Sequence, residues 1–271
     1  MIAGLLGLAV AGYAVAWLLQ LQSFSRAEDA VSTASARVTA GAALAHLAAL
    51  VAFGVAHRTM PLAGFGPTAA TLSLVTVMAL LVLTRRAEGA LAGLFALPPI
   101  IALAGAAIVA GLEPPQSVSG LRGALFIFHV ATVLLGYAIL LVGSVAAAMY
   151  LLQFRALKQK EFGNVFRSFP SLETLDRTSA IALAVGLSVL TVGLVAGWSF
   201  TISAGRSLVL TDADVAFGLL TWAVYGAAIA VRYTPGGRGE RAAGMTVFAF
   251  VASATAFALL RAISTTPELF L

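Results

Sequence analysis

The 271-residue chain contains no cysteine. That absence removes a structural disulfide, a thiol redox centre, a cysteine-held iron–sulfur cluster and a CxxCH haem attachment from its chemistry. Charge is nearly as scarce: Asp, Glu, Lys and Arg make up 10% of residues, against about 25% in soluble globular domains. Histidine occurs only at His46, His57 and His129. Apolar residues fill the chain instead, at 61%, with a mean hydropathy of +1.00. Such a composition cannot furnish the polar surface of a soluble protein, so the chain reads as an integral membrane protein.

In lipid the backbone must satisfy its own hydrogen bonds, which makes a long apolar run a membrane-spanning helix. Eight such runs occur, with cores at Leu5–Leu21, Val38–Ala56, Thr68–Leu83, Ala90–Leu112, Leu125–Leu152, Ala180–Ile202, Val215–Val231 and Ala242–Leu260. The expected fold is all-α, one domain over residues 1–271 with eight transmembrane helices. The first run has no basic residues ahead of it and no small-residue cleavage site before "QLQSFSRAEDA", so it reads as a retained helix rather than a signal peptide.

Twelve of the sixteen Lys and Arg residues fall in the odd-numbered connections: Arg26 and Arg37; Arg85 and Arg86; Arg155, Lys158, Lys160, Arg167 and Arg177; Arg232, Arg238 and Arg241. The other four are Arg58, Arg122, Arg206 and Arg261. By the positive-inside rule the odd connections are cytoplasmic and both termini lie on the outer, periplasmic side. The basic pI of about 10.1 is then an orientation signal facing anionic headgroups. Nucleic acid is not an expected partner; the lipid bilayer is.

The fifth connection, "FRALKQKEFGNVFRSFPSLETLDRTSA", is the longest and is expected to lie along the inner surface, with a helix starting after Pro170 and Ser171. Pro98 and Pro99 in "LPPII" remove two backbone donors from the fourth helix and predict a kink or break. "PGGRGER" lacks the Walker spacing and lysine, and reads as a tight cytoplasmic turn. No inverted repeat relates the halves, and no chain of acids crosses the membrane. No nucleophile–base pairing, zinc motif or nucleotide loop is present, so no enzyme is expected.

His46 and His129 sit deep in apolar helices, on the order of 10 to 15 Å below the outer surface at 1.5 Å per residue. Intramembrane ionisable residues are costly and mark function by default. Two depth-matched imidazoles on separate helices can ligate one haem iron without cysteine, giving a bis-histidine b-type haem with His46 and His129 as the metal ligands. The competing reading is interhelical hydrogen bonding, each imidazole bonding a backbone carbonyl or a hydroxyl such as Thr132 or Thr221. Ala42, Ala43, Ala45, Ala48 and Ala49 around His46, and Gly136 seven residues past His129, leave room for a flat ring or for close helix packing. Haem propionates seek cations: Arg122 lies seven residues before His129, and His57 and Arg58 lie about 16 Å outward of His46. Interfacial anchoring is the alternative role for these three.

"FHVATVLLGYAILLVGSVAAAMYLLQFRALKQK", "FPSLETLDR" and "LLTWAVYGAAIAVRYTPGGRGERAA", in that order, together with "AHLAAL" of the second helix, resemble the cytochrome c assembly family of CcsA, HemX-like and YpjD-like proteins. The resemblance implies a haem b held by His46 and His129, other cytochrome assembly proteins as partners, and the bacterial inner (cytoplasmic) membrane as the location. Larger members carry a tryptophan-rich external loop with a Trp-Asp pair. Here "GWSFTISAGRSLVLTDADVAFGLLTW" holds Trp198 alone, Asp212 at the Asp position and Thr211 in place of its tryptophan, and no histidine follows His129. That departure points to the smaller YpjD-like branch. The expected function is haem handling or assistance to cytochrome c assembly; a cofactor-free transporter and a regulatory scaffold are the alternatives.

Overall fold

The computed structural model describes residues 1–25, 33–84, 92–114, 123–160, 169–203, 205 and 213–263. Among these, every regular element is a helix: α1 (Ile2–Ser25), α2 (Thr33–His57), α3 (Phe65–Thr84), α4 (Ala92–Ala110), α5 (Ala124–Lys158), α6 (Leu172–Ser203), α7 (Ala213–Arg232) and α8 (Glu240–Ile263). All eight are long and apolar enough to cross a membrane. Their outward faces carry exposed apolar residues such as Leu8, Leu44, Val55, Phe248 and Val251, as a lipid-facing surface requires.

Successive helices pair as α1 with α2, α3 with α4, α5 with α6 and α7 with α8. One core joins Leu6, Ala49, Ala70, Leu74 and Ala104 of the first four helices. Another joins Leu140, Leu183, Leu190, Tyr225 and Ala249 of the last four. α5 bridges the halves through α3 and α4 on one side and α6 and α8 on the other.

The α5–α6 pair is the most extensive contact, and glycine makes it so. A Cβ at Gly136 would lie 3.0 Å from the backbone nitrogen of Leu190, and one at Gly193 2.7 Å from Val133. Lipid is as apolar as leucine, so helices associate by close packing, which these glycines permit. Gly136 therefore serves the helix seam; it leaves no room for a flat ring. Ala42 likewise closes on Gly12 of α1, where an added Cβ would come within 2.8 Å.

α5 and α6 run 35 and 32 residues, roughly 50 Å each at 1.5 Å per residue and well beyond the hydrocarbon core of about 30 Å. Most of the described residues of the fifth connection are thus helical: Arg155 and Lys158 end α5, while Glu173, Asp176 and Arg177 belong to α6. Residues 161–168 lie outside the described residues. Ser171 caps α6, its Oγ accepting from the Thr174 N–H at 3.2 Å with Glu173 in the first turn. The carboxylate of Asp176 on α6 accepts from Arg232 at the end of α7, with Nη1 2.9 Å from Oδ1.

α4 continues through Pro98 and Pro99 without a break. Pro98 has no N–H for the carbonyl of Leu94, and the Trp17 indole of α1 supplies the donor at 3.0 Å. α4 stops at Ala110, two residues short of the expected Leu112, because Gly111 takes φ 90° and turns the chain. "PGGRGER" is a tight turn, with Gly236 and Gly239 at φ 67° and 73°.

Candidate functional site

His46 is fully buried in α2. Its Nδ1 lies 3.2 Å from the hydroxyl of Tyr13 on α1, itself fully buried, and the two rings are tilted by 53° with centroids 6.0 Å apart. The backbone of Ala70 on α3 lies beside the imidazole as a further hydrogen-bond partner; its carbonyl accepts from the Ser73 hydroxyl at 2.9 Å and keeps a second lone pair. Nε2 makes no hydrogen bond of good geometry. A buried polar atom without a partner of good geometry carries a desolvation cost.

His129 is half-buried near the start of α5. Its Nδ1 donates to the carbonyl of Gly193 on α6 at 2.7 Å. A carbonyl only accepts, so the proton resides on Nδ1 and Nε2 presents its lone pair. The ring lies over Gly197, where a Cβ would fall 2.5 Å from Cε1. Gly197 leaves open the seat of the ring, while Gly193, one turn earlier on α6, lets Val133 and Thr132 of α5 approach closely.

The alternative of interhelical hydrogen bonds to a backbone carbonyl or a hydroxyl is what both rings make, His129 to the Gly193 carbonyl and His46 to the Tyr13 hydroxyl, but not with the example residues Thr132 and Thr221. Thr132 instead bonds the carbonyls of Phe128 and His129 in its own helix, and Thr221 bonds nothing. The actual partners, Tyr13, Gly193 and Gly197, escaped the sequence reading. Their signals were present: a phenol deep in an apolar helix, and two glycines spaced by four. Neither reveals which helix it faces.

His46 and His129 are not joined by a hydrogen bond or a ring contact among the described residues. His46 faces α1 and α3, whereas His129 faces α6. What they share is a state: each Nδ1 is held by the protein and each Nε2 is uncommitted. Metal-binding histidines are held in that way, the second nitrogen fixed by a partner that orients the ring. Among the described residues no group of three or more His, Asp or Glu side chains gathers around a point. A zinc cage needs such a group, but haem iron needs only axial imidazoles.

A cavity of about 400 Å³ opens at the C-terminal end of α2 and the N-terminal end of α5, lined by Gly54, Arg58, Met60, Pro61, Phe126 and Ile127. It lies one turn from His129. Arg58, in a left-handed backbone with φ 51°, closes α2 and borders this space. His57 packs against Phe53 with centroids 4.6 Å apart and does not line it. Arg122 lies outside the described residues, as do Thr211 and Asp212. Trp198 is exposed, and the Trp222 indole donates to Thr191 at 2.9 Å.

Comparison with known proteins bears on this arrangement. The family described as "Cytochrome C assembly protein" matches residues 35–266. The chain is 30% identical over 149 residues to the cytochrome c biogenesis protein CcsA of Guillardia theta, covering 49% of this chain and 50% of that one. It is 29% identical over 161 residues to the protein of the same name from Synechococcus sp. (strain CC9605), covering 52% and 53%. For the Chlamydomonas reinhardtii protein the figures are 27% over 136 residues, 49% and 37%. The chain spans about half the length of the curated relatives it matches. With a match over residues 35–266, from near the start of α2 to past α8, and eight helices of membrane length among the described residues, the chain belongs to the cytochrome c assembly protein family.

Proposed function

We propose that the protein handles haem in the bacterial inner membrane during cytochrome c assembly, binding a b-type haem through His46 and His129. The observation that carries this reading is the state of the two imidazoles: both lie within membrane-length helices, both have Nδ1 engaged, and both have Nε2 unpartnered. Tyr13 orients His46, and Gly193 orients His129. On this reading His46 and His129, which here touch different helices, would be the residues that hold the haem iron. Arg58, with Arg122 and His57, provides the cationic rim for the propionates. Bound haem supplies a redox-active iron within the bilayer.

The topology belongs to the same proposal: the odd-numbered connections face the cytoplasm, and both termini and the His129 end of α5 face the periplasm. The chain acts as a binding and assembly factor without a catalytic residue of its own, alongside other assembly proteins. The altered Trp-Asp region supports placement with the smaller YpjD-like members, which lack the external platform.

The test is genetic. Cells lacking the protein are assayed for covalent c-type cytochromes by haem staining, with wild-type, His46→Ala and His129→Ala copies returned. Loss of c-type cytochromes, restored by the wild type and not by the variants, supports the proposal. Full restoration by a His46→Ala, His129→Ala copy at equal expression removes the histidines from the function.

A further inference from the structure

α8 starts without a cap. Its first helical bond runs from the N–H of Ala243 to the carbonyl of Gly239 at 2.9 Å, which leaves the N–H groups of Glu240, Arg241 and Ala242 with no acceptor inside the helix. Gly239, in a left-handed backbone at φ 73°, has no side-chain oxygen to offer them. At the start of α6, by contrast, the Ser171 hydroxyl accepts from Thr174 at 3.2 Å. Aligned peptide dipoles place about half a positive charge at such an end.

A helix start alone marks no ligand, but Tyr150 adds a second donor group to this one. Tyr150 lies on α5 and is 8% exposed; its ring stacks on Phe154 with centroids 6.0 Å apart, and its hydroxyl reaches the edge of the bundle. That hydroxyl points at the start of α8, since a Cβ on Gly239 would fall 2.8 Å from its oxygen. The buried phenols Tyr13 and Tyr225 bond His46 and Ser144. Tyr150 has no such partner among the described residues, and only the charges of Asp176, Glu240 and Arg232 act on it. A donor aimed at further donors calls for an acceptor between them.

The local charge favours an anion. Asp176 is spent on Arg232. Glu240 stands against Arg238 and Arg241, all three exposed, and the Arg241 guanidinium folds back over the turn, 3.9 Å from where a Cβ of Gly236 would sit. Tyr150 comes two residues before Leu152, where the apolar run of α5 ends, so these groups lie at the depth of the lipid headgroups.

We propose that Tyr150, the first turn of α8 and Arg241 form a binding site for a phosphate group. The phosphate oxygens accept from the Tyr150 hydroxyl and from the N–H groups of Glu240 and Arg241, and the Arg241 guanidinium pairs with the charge. A phospholipid headgroup or a soluble phosphate ester can supply that group. The site shares no residue with the histidines and stands whether or not they hold haem.

The test is native mass spectrometry of the full chain in detergent, titrated with dioleoylphosphatidylglycerol, with phosphate-free dioleoylglycerol, or with glycerol 1-phosphate. The expected result is one saturable phosphate-bearing adduct and no retained dioleoylglycerol. Tyr150→Phe, which keeps the buried ring, and Arg241→Gln each weaken it about tenfold, the worth of one hydrogen bond to a charged group. Glu240→Gln tightens it, Arg155→Gln at an exposed arginine outside the site leaves it unchanged, and the His46→Ala, His129→Ala protein retains it. Retention of the lipid but not of glycerol 1-phosphate makes this a headgroup site; equal retention of both makes it a site for soluble phosphate esters. Binding that is unchanged in Tyr150→Phe, that falls equally in Arg155→Gln, or that dioleoylglycerol matches overturns the proposal and leaves only a diffuse basic rim.

Discussion

The hydroxyl of Tyr13 and Nδ1 of His46 meet 3.2 Å apart between α1 and α2, at positions where neither side chain reaches solvent. Each is the other's hydrogen-bond partner. The imidazole needs the phenol to fix its orientation, and the phenol needs the imidazole to lie buried at acceptable cost.

Tyr13→Phe keeps the ring in place and strands Nδ1. The expected cost is about 1–3 kcal/mol, that of an unsatisfied buried polar group, seen as a lowered Tm in detergent. Tyr13→Phe combined with His46→Leu removes both polar groups and recovers most of the loss. An unchanged Tm in the single variant would mean that the pair contributes no net stability.

Gly197→Ala places a methyl 2.5 Å from the His129 ring. Because the obstructed atoms belong to a rotatable side chain, the bundle keeps its fold while the imidazole leaves the Gly193 carbonyl. The expected result is a lower haem-to-protein ratio at nearly constant Tm. Gly136→Ala, whose methyl meets the backbone of Leu190 at 3.0 Å, instead spreads α5 from α6 and lowers the Tm. The two glycines thus separate seating of the histidine from helix packing.

Trp17→Phe leaves the Leu94 carbonyl without the donor that Pro98 cannot provide. The loss is expected to be about 1–3 kcal/mol. Adding Pro98→Ala restores a backbone N–H to that carbonyl and raises the Tm of the Trp17→Phe protein. If the proline substitution gives no rescue, the indole serves α1–α4 packing rather than repair of the helix.

Asp176 and Arg232 are 26% and 17% exposed and tie the start of α6 to the end of α7. A double-mutant cycle with Asp176→Ala and Arg232→Ala is expected to give a coupling of about 0.5–3 kcal/mol, larger than for a fully exposed pair. Coupling near zero, measured by apparent stability, would reduce the pair to a surface contact.

The helices were legible in the sequence because the requirement for internal hydrogen bonding in lipid turns each apolar run into a helix. Their lengths were less so. Hydropathy falls away after Leu152, yet Gln153, Arg155, Ala156 and Lys158 are good helix formers and carry α5 onward. Pro98 and Pro99 predicted a kink or break because a lone helix cannot replace a missing donor; α4 runs on without a break, and Trp17, seventy-seven residues from Leu94 in the chain, supplies a donor. The depth of His46 and His129 could be counted from helix ends. Their partners depend on the rotation and neighbours of each helix, so Tyr13, Gly193 and Gly197 emerged only in the folded bundle. Gly136, whose spacing allowed either room for a ring or close helix packing, is spent on helix contact.

The assignment of His46 and His129 is tested most directly by absorption spectra of the detergent-purified protein, oxidised and dithionite-reduced, beside the single histidine variants. Bis-histidine ligation predicts a Soret band with sharp reduced α and β bands in the wild type, and their loss or conversion to a five-coordinate spectrum in each variant. A colourless protein that also fails to take up added haem, or a b-type spectrum untouched by either substitution, would contradict it.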